Sequence, residues 1–482
     1  MGSKLYVYPN TPIRKIVPEP GFDMEFQKNM NNPPIRSALL FCLCLLLSAW
    51  TPARAENSPP TTWTAEKAVR FALRNSPDSL AGRQRIEGAQ AAIAIQRSAF
   101  YPQVALVSQY GQTNNPLYSV GNILNQHEFN QTIDFNHPGR TDNLNNSIQL
   151  GYRFFDGGRN RAGLNVSQAQ AVATRFELAA VQDRLAFEVV RAFNLIDQAE
   201  GLIKAHQAEV AIVVAALKTA RVRYDEGMTL RTNILDLEVQ EARARENLIQ
   251  SQHNLTLTQQ IFLNLLGLAD GEVRLAQLDA SEQVIPPSDN VSKRAELAIL
   301  DATLTSAQAR LSQARAGRYP ALDGYAGYGA DQGSITGGNG QSWQVGLKFQ
   351  YDLFDGHRTQ AEIAKAEASL NELREQRRKT ELAVGLEIKQ ARLSLADAEE
   401  RLAVSEKTVA QAEESLRINN DRFAEGLVLA ADLIGAQNRL TEVQIRRTSA
   451  ATARRIAIAE LRRAAGLPQF ASLSDPSSVS KE

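Results

Sequence analysis

The sequence predicts a mainly α-helical chain with a smaller membrane-type β portion, built twice from the same plan. Three observations predict it. Two proline-free stretches of about 69 residues each, 158–226 and 357–425, are rich in Ala, Leu, Glu, Gln and Arg, the residues that favour long helices. Short segments between them alternate apolar and polar residues with period two, the mark of strands. The whole pattern then recurs along the 482 residues.

The repeat sets the organisation, so it is sought first. Phe155-Asp-Gly-Gly158 returns as Phe354-Asp-Gly-His357, 199 residues later. Arg223-Tyr-Asp-Glu-Gly227 returns as Arg422-Phe-Ala-Glu-Gly426, and Leu266-Gly-Leu268 as Ala465-Gly-Leu467, at the same offset. Tyr101-Pro102 returns as Tyr319-Pro320 at an offset of 218. The two halves therefore differ by 19 residues, all between Tyr-Pro and Phe-Asp-Gly. Each half reads as a helix (about 64–99 and 292–317), a strand pair, a very long helix and a return helix of about 35 residues (232–266 and 432–465). Tyr-Pro stops the first helix, because proline drives its predecessor out of the helical region. The expected boundaries are 56–290 for the first repeat, 291–470 for the second, and 471–482 for a polar tail.

The strands carry the membrane expectation. Ile148, Leu150, Tyr152 and Phe154 alternate with Ser147, Gln149, Gly151 and Arg153. Trp343, Val345, Leu347, Phe349 and Tyr351 alternate with Gln344, Gly346, Lys348, Gln350 and Asp352. One face is apolar with aromatics and the other polar, as in a barrel strand between lipid and water. A soluble half-buried sheet alternates too. Four strands cannot enclose a lumen, since natural membrane barrels start at about eight. An open sheet in lipid would leave backbone groups unpaired. The chain must then assemble, and three copies give twelve strands. Residues 114–146 hold nine Asn and read as a long polar outer loop carrying the 19-residue excess.

A helix of about 69 residues is about 100 Å long and needs partner helices along its length. The return helices reach half-way back. Segments 64–99 and 292–317 complete the other half. Pro286-Pro287 places 268–290 in a mid-height excursion. Four helical limbs per chain make twelve in three copies.

Before the repeats, Arg36 precedes a 14-residue apolar run, Ser37–Trp50, followed by Ala53-Arg-Ala55. A membrane-spanning helix needs about 20 residues, so this is the layout of a secretory signal over 1–55, cleaved after Ala55. Its leader is long, and a start at Met24 or Met30 gives an ordinary one. Both cysteines, Cys42 and Cys44, lie in that run, which leaves no thiol framework for the rest of the chain.

Lys and Arg number 53, as do Asp and Glu, so no basic excess points to nucleic acid. The five histidines, His127, His137, His206, His253 and His357, form no His-Glu-x-x-His pair. There is no phosphate loop and no nucleophile elbow. No catalytic residue, cofactor or metal is expected, and the chain is read as not an enzyme.

The ordered set of marks, present twice, resembles the TolC-like outer-membrane efflux proteins: Tyr-Pro opening strands, Phe-Asp-Gly opening long helices, and Gly-x5-polar at the helix turns. The similarity covers about 60–470. It implies a homotrimer with a 12-stranded β-barrel, four strands per chain, in the lipid of a Gram-negative outer membrane, and an α-barrel through the periplasm. It implies an exit duct for efflux or type I secretion, supplied by an inner-membrane transporter and a periplasmic adaptor. Some members carry a lipid-modified cysteine after the signal, and this chain has none there. The rival reading is a periplasmic coiled-coil adaptor or structural protein without a barrel.

The resemblance also assigns the turns. Glu226-Gly227 and Glu425-Gly426 match the adaptor-docking tips. Asp432 matches an acidic ring at the closed mouth. Asn233 is its first-half twin, Asp236 lies one turn on, and Gly435 stands where a second acid often occurs. Six carboxylates per trimer near a narrow opening would favour cations. A plainer role is also open: Gly227 and Gly426 as helix C-caps, Asn233 and Asp432 as N-caps. Asp156-Gly157 and Asp355-Gly356 read as strand-to-helix joints.

Overall fold

The computed structural model describes residues 62–276 and 294–470. The signal expected over 1–55, the Pro286-Pro287 excursion and the tail 471–482 lie outside the described residues.

Among the described residues two helices precede the first strand: α1 (Ala65–Asn75) and α2 (Pro77–Ser98). The sequence suggested one continuous helix here. Ser76 breaks it at φ −60°, ψ 133°, because Pro77 forbids a helical predecessor and opens α2 itself. Thr64 caps α1 by accepting the Lys67 N–H at 3.2 Å.

Next come β1 (Gln103–Thr113), α3 (Pro116–Asn125) and β2 (Thr141–Phe155). Residues 114–146 are therefore not a plain loop. They hold a ten-residue helix and the first residues of a strand longer than expected. The excess does fall here, since 114–140 connect β1 to β2 while only 333–338 connect the second pair.

The long helix α4 (Arg159–Asp225) and return helix α5 (Arg231–Leu266) follow within a residue or two of the expected ends. The second half repeats the order: α6 (Ala295–Arg315), a 3₁₀ turn (Ala316–Arg318), β3 (Ala321–Gln332), β4 (Asn339–Gln350), α7 (Arg358–Glu425) and α8 (Ala430–Ala464). No described helix is long and apolar enough to cross a membrane.

The four strands form one antiparallel sheet in the order β1-β2-β3-β4. The in-chain seam between halves is β2–β3, with Gln149 opposite Gly327 and Arg153 opposite Asp323. On the polar face Arg153 donates to Asp323 at 2.6 Å, and Asn145 to Asp331 at 2.9 Å. The opposite face is bare: Leu106 is 77% exposed and Trp343 75%. Val104, Ile148, Val345, Leu347 and Phe349 lie open beside them. A contiguous apolar patch of this extent is not a water-facing surface.

The helical part packs in separate cores along its length. At mid-height Trp63 meets Phe71 and Phe262 edge-to-face, with centroids 5.4 and 5.8 Å apart. Phe193, Ile196, Leu266 and Ala459 close this core. Trp63 is held in place by its backbone, which pairs with the chain just past α5, donating to Arg274 and accepting from Ala276. Gly267 (φ +80°) lets the end of α5 approach the α1–α2 break, for a Cβ there would sit 2.8 Å from the Asn75 carbonyl. A second core near the tips gathers Leu217, Leu237, Phe423, Leu433 and Leu440. Between them lies a buried polar band. His206 Nδ1 is 3.1 Å from Glu209 Oε2, and Gln240 donates to Asn438 at 2.8 Å.

α6 packs on both α4 and α7. Its entry is fixed by buried Arg294, which pairs with Glu296 at 2.9 Å and Glu387 at 2.8 Å, while Arg463 joins the same Glu387. Phe262→Ala should lower unfolding stability by about 3–5 kcal/mol, read by denaturant or thermal unfolding, because the ring is fully buried between two aromatics.

Candidate gate turns and strand joints

The two joints are built alike. Asp156 accepts the N–H of Gly158 at 2.9 Å and of Asn160 at 2.7 Å. Asp355 accepts the Thr359 N–H at 2.8 Å and its hydroxyl at 2.5 Å. Each carboxylate thus satisfies orphan N–H groups in the first turn of a long helix. The Thr359 hydroxyl, then its N–H, hold the Asp355 carboxyl below the usual range. Its contribution is complete above about pH 4 and is lost only as pH falls through that lowered value.

Both joints turn through left-handed backbone: Gly157 φ +67° and Gly158 φ +88°, Gly356 φ +65° and His357 φ +64°. The twins differ in what surrounds them. A Cβ on Gly157 would lie 2.6 Å from Tyr319 Cβ and 2.8 Å from the Ala316 carbonyl, whereas one on Gly356 would meet nothing within 4 Å.

The tips also match each other. Gly227 (φ +73°) and Gly426 (φ +81°) close Schellman caps. The Met228 N–H bonds Arg223 O at 2.8 Å, and the Leu427 N–H bonds Arg422 O at 2.9 Å. Glu226 and Glu425 stand exposed beside these glycines. The expected N-cap role of Asn233 and Asp432 falls one turn earlier, on Leu230 and Leu429. Both residues are the third of their helices. Asp432 reaches back to the Leu429 N–H at 3.2 Å, and Asn233 donates to Thr229 Oγ1 at 2.8 Å. Asp432 and Asp236 are both exposed, next to Leu433 and Leu237 that anchor the tip core. Burial of the leucines turns the carboxylates outward.

Arg223 is a tip residue that local pattern reading missed. It donates to the carbonyl of Phe423 at 2.7 Å and to that of Ala424, with its guanidinium 5.6 Å from the Phe423 ring centre. A cation on the last carbonyls of α7 complements the negative helix end, and it staples the first hairpin to the second. The recurring Arg at 223 and 422 was the available signal.

A sequence profile of the family described as outer membrane efflux protein matches residues 68–268 and 287–467. The chain belongs to this family. The two matched segments coincide with the two runs of elements. Protein CyaE of Bordetella pertussis (strain Tohama I) is 25% identical over 327 residues, 64% of this chain and 65% of that protein. Outer membrane efflux protein BepC of Brucella suis biovar 1 is 22% identical over 306 residues, 62% and 66% respectively. The matches thus span just under two thirds of these relatives. Among solved structures, the Campylobacter jejuni CmeC outer membrane channel superposes with TM-score 0.73 at 13% identity, covering 88% of this chain and 94% of that one. The outer membrane protein VceC of Vibrio cholerae gives 0.69 at 18%, covering 84% and 97%. The fold is that of TolC-like outer-membrane channels, a family of channel proteins rather than enzymes.

Gly157→Ala should lower the melting temperature of the chain more than Gly356→Ala. Both force a side chain into left-handed backbone, at a cost of about 1–2 kcal/mol, but only the first also collides with Tyr319. Equal shifts in a thermal melt would show that the Tyr319 approach carries no weight.

Proposed function

We propose that this chain is one third of an outer-membrane exit duct, passively conducting cargo handed over by an inner-membrane transporter through a periplasmic adaptor. The observation that carries the reading is the sheet: an apolar outer face, a polar inner face and, among the described residues, two unpaired edges, β1 and β4. Only other strands can satisfy those edges in lipid. An adaptor-like protein without a barrel has no use for such a sheet.

The duplication supports a particular way for copies to meet. Four contacts between halves inside the chain have twin surfaces left open. β2–β3 pair within the chain, while β4 and β1 are open. Gly157 receives Tyr319, while Gly356 is empty and its counterpart Tyr101 is 68% exposed. α6 is held by α4 and α7, while its twin α2 packs on α4. Arg223 staples α7, while its twin Arg422 is exposed and in an assembly reaches the end of a neighbour's α4. Repeating the in-chain contact between chains closes a ring, and three copies give twelve strands.

This reading implies a register for the seam. Carrying Gln149↔Gly327 across the repeat sets Lys348 opposite Gln109 of the next copy. With Gln109→Cys and Lys348→Cys in one chain, mild oxidation should give a covalent trimer. Gln109→Cys with Leu347→Cys should not, because a one-residue step moves the thiol to the other face. Linking of both pairs or neither contradicts the seam.

At the periplasmic end, Asp432 and Asp236 are assigned to the mouth and the turns Glu226-Gly227 and Glu425-Gly426 to adaptor docking. Asp432→Ala should raise single-channel conductance and weaken cation preference by several-fold, as expected when a ring of charge is removed from a constriction. Unchanged conductance, selectivity and divalent-ion sensitivity would reduce Asp432 to its bond with Leu429.

A further inference from the structure

The ten-residue helix α3 has two faces with opposite environments. Its inward face is tied to the sheet. Ser119, fully buried, donates to the carbonyls of Thr113 at 3.1 Å and Gly139 at 2.9 Å. Asn122 donates to Thr141 Oγ1 at 3.0 Å. Gln126, just past the helix and also fully buried, donates to Asp142 O at 2.7 Å and Asn143 Oδ1 at 2.9 Å and accepts from the Thr336 hydroxyl in the β3–β4 turn. Spacing i, i+3, i+7 puts these three residues on one side.

That side lies on the polar face of the sheet. Thr141 and Asn143 share the parity of Gln149 and Arg153, and Thr113 pairs with Thr141. Gly340, opposite Asp331, is on the same face, and a Cβ there would come 1.8 Å from the Asn125 carbonyl. Only glycine admits the end of α3 at this point. The helix therefore bends over the polar, lumen side of the sheet, at the end remote from the long helices.

Its other side is apolar and bare. Leu117 is 77% exposed, Tyr118 65% and Leu124 49%. Twelve strands about 4.8 Å apart, tilted about 40°, make a ring roughly 24 Å across between backbones. A helix with side chains is about 10–12 Å thick. Three such helices inside that ring have no room to avoid one another.

We propose that the bare face of α3 docks on the α3 helices of the other two copies, closing the exit mouth with an apolar constriction of Leu117, Tyr118 and Leu124. The occupant is a second and third copy of this chain, so the inference rests on the trimeric duct above. Polar latches anchor each helix to its own strands, and the contact at the axis is apolar, so the mouth excludes water and ions by dewetting while it is closed.

The test uses the full-length protein in outer membranes. Beyond Cys44 the chain holds no native thiol. Leu117→Cys, Tyr118→Cys and Leu124→Cys are introduced singly, and mild oxidation is followed by denaturing electrophoresis. Disulfides need Cα atoms within about 7 Å, so a pair forms only if the helices touch. At least one position should carry about two of every three chains into a disulfide-linked dimer, the most a threefold axis allows, with native size unchanged. The Gln109/Lys348 cysteine pair serves as the reference for assembly. If it links while all three α3 positions stay monomeric, the exit constriction is overturned and the trimer stands. If it fails to link, the trimeric reading falls and this one with it.

Discussion

Inside a bilayer an unpaired backbone N–H or C=O finds no water, and each such group costs several kcal/mol. The sheet of this chain has eleven- and twelve-residue edge strands beside an apolar face. Among the described residues no strand pairs with them. In the proposed duct, closure with copies is the constraint on which the rest depends. On that reading the duplication has a use, because a half-unit that already pairs with its twin in the chain needs only to repeat that contact outward. Closure would also cover Leu386, Leu393 and Val404, which lie exposed along α7.

The helices answer a different requirement, reach. An α-helix of 67 residues is about 100 Å long and cannot be stabilised by propensity alone. Apolar cores at mid-height and at the tip do that work, each where a return helix meets its long partner. Between them the buried His206–Glu209–Gln240 band gives the two hairpins a polar register mark rather than additional apolar adhesion. In some coiled coils buried polar groups set register at a cost in stability. The tip, held by Arg223 and the Leu237–Leu433 core, is thus a separate packing unit from the belt around Trp63.

Much of this was legible in the sequence, for physical reasons that differ by element. Period-two alternation and Phe-Asp-Gly located the strands and joints, because a joint needs left-handed backbone and a carboxylate cap that few residues supply. Helix lengths followed from the distance between Phe-Asp-Gly and Glu-Gly. Ser76-Pro77 marks the break between α1 and α2 locally, but the helical composition on both sides masks it. α3 was hidden by the asparagines around it, although Asn115 as cap, Pro116 at the first position and the Leu117, Val120, Ile123, Leu124 spacing were all present. What could not be read was long-range: Arg223 on the carbonyls of α7, Gln126 on Thr336, and Tyr319 on Gly157 are contacts between residues 160 or more apart that no local pattern specifies. The cap positions at the tips failed by one turn because Leu230 and Leu429, poor cap formers, stand where the backbone enters the helix.

The most direct test is single-channel recording of the purified protein in planar bilayers. The expected result is insertion with small, stable, cation-preferring steps, the behaviour of a closed β-barrel joined to a duct constricted at its ends. A well-folded protein that never enters bilayers would contradict the barrel, and with it the closure on which the helical architecture depends.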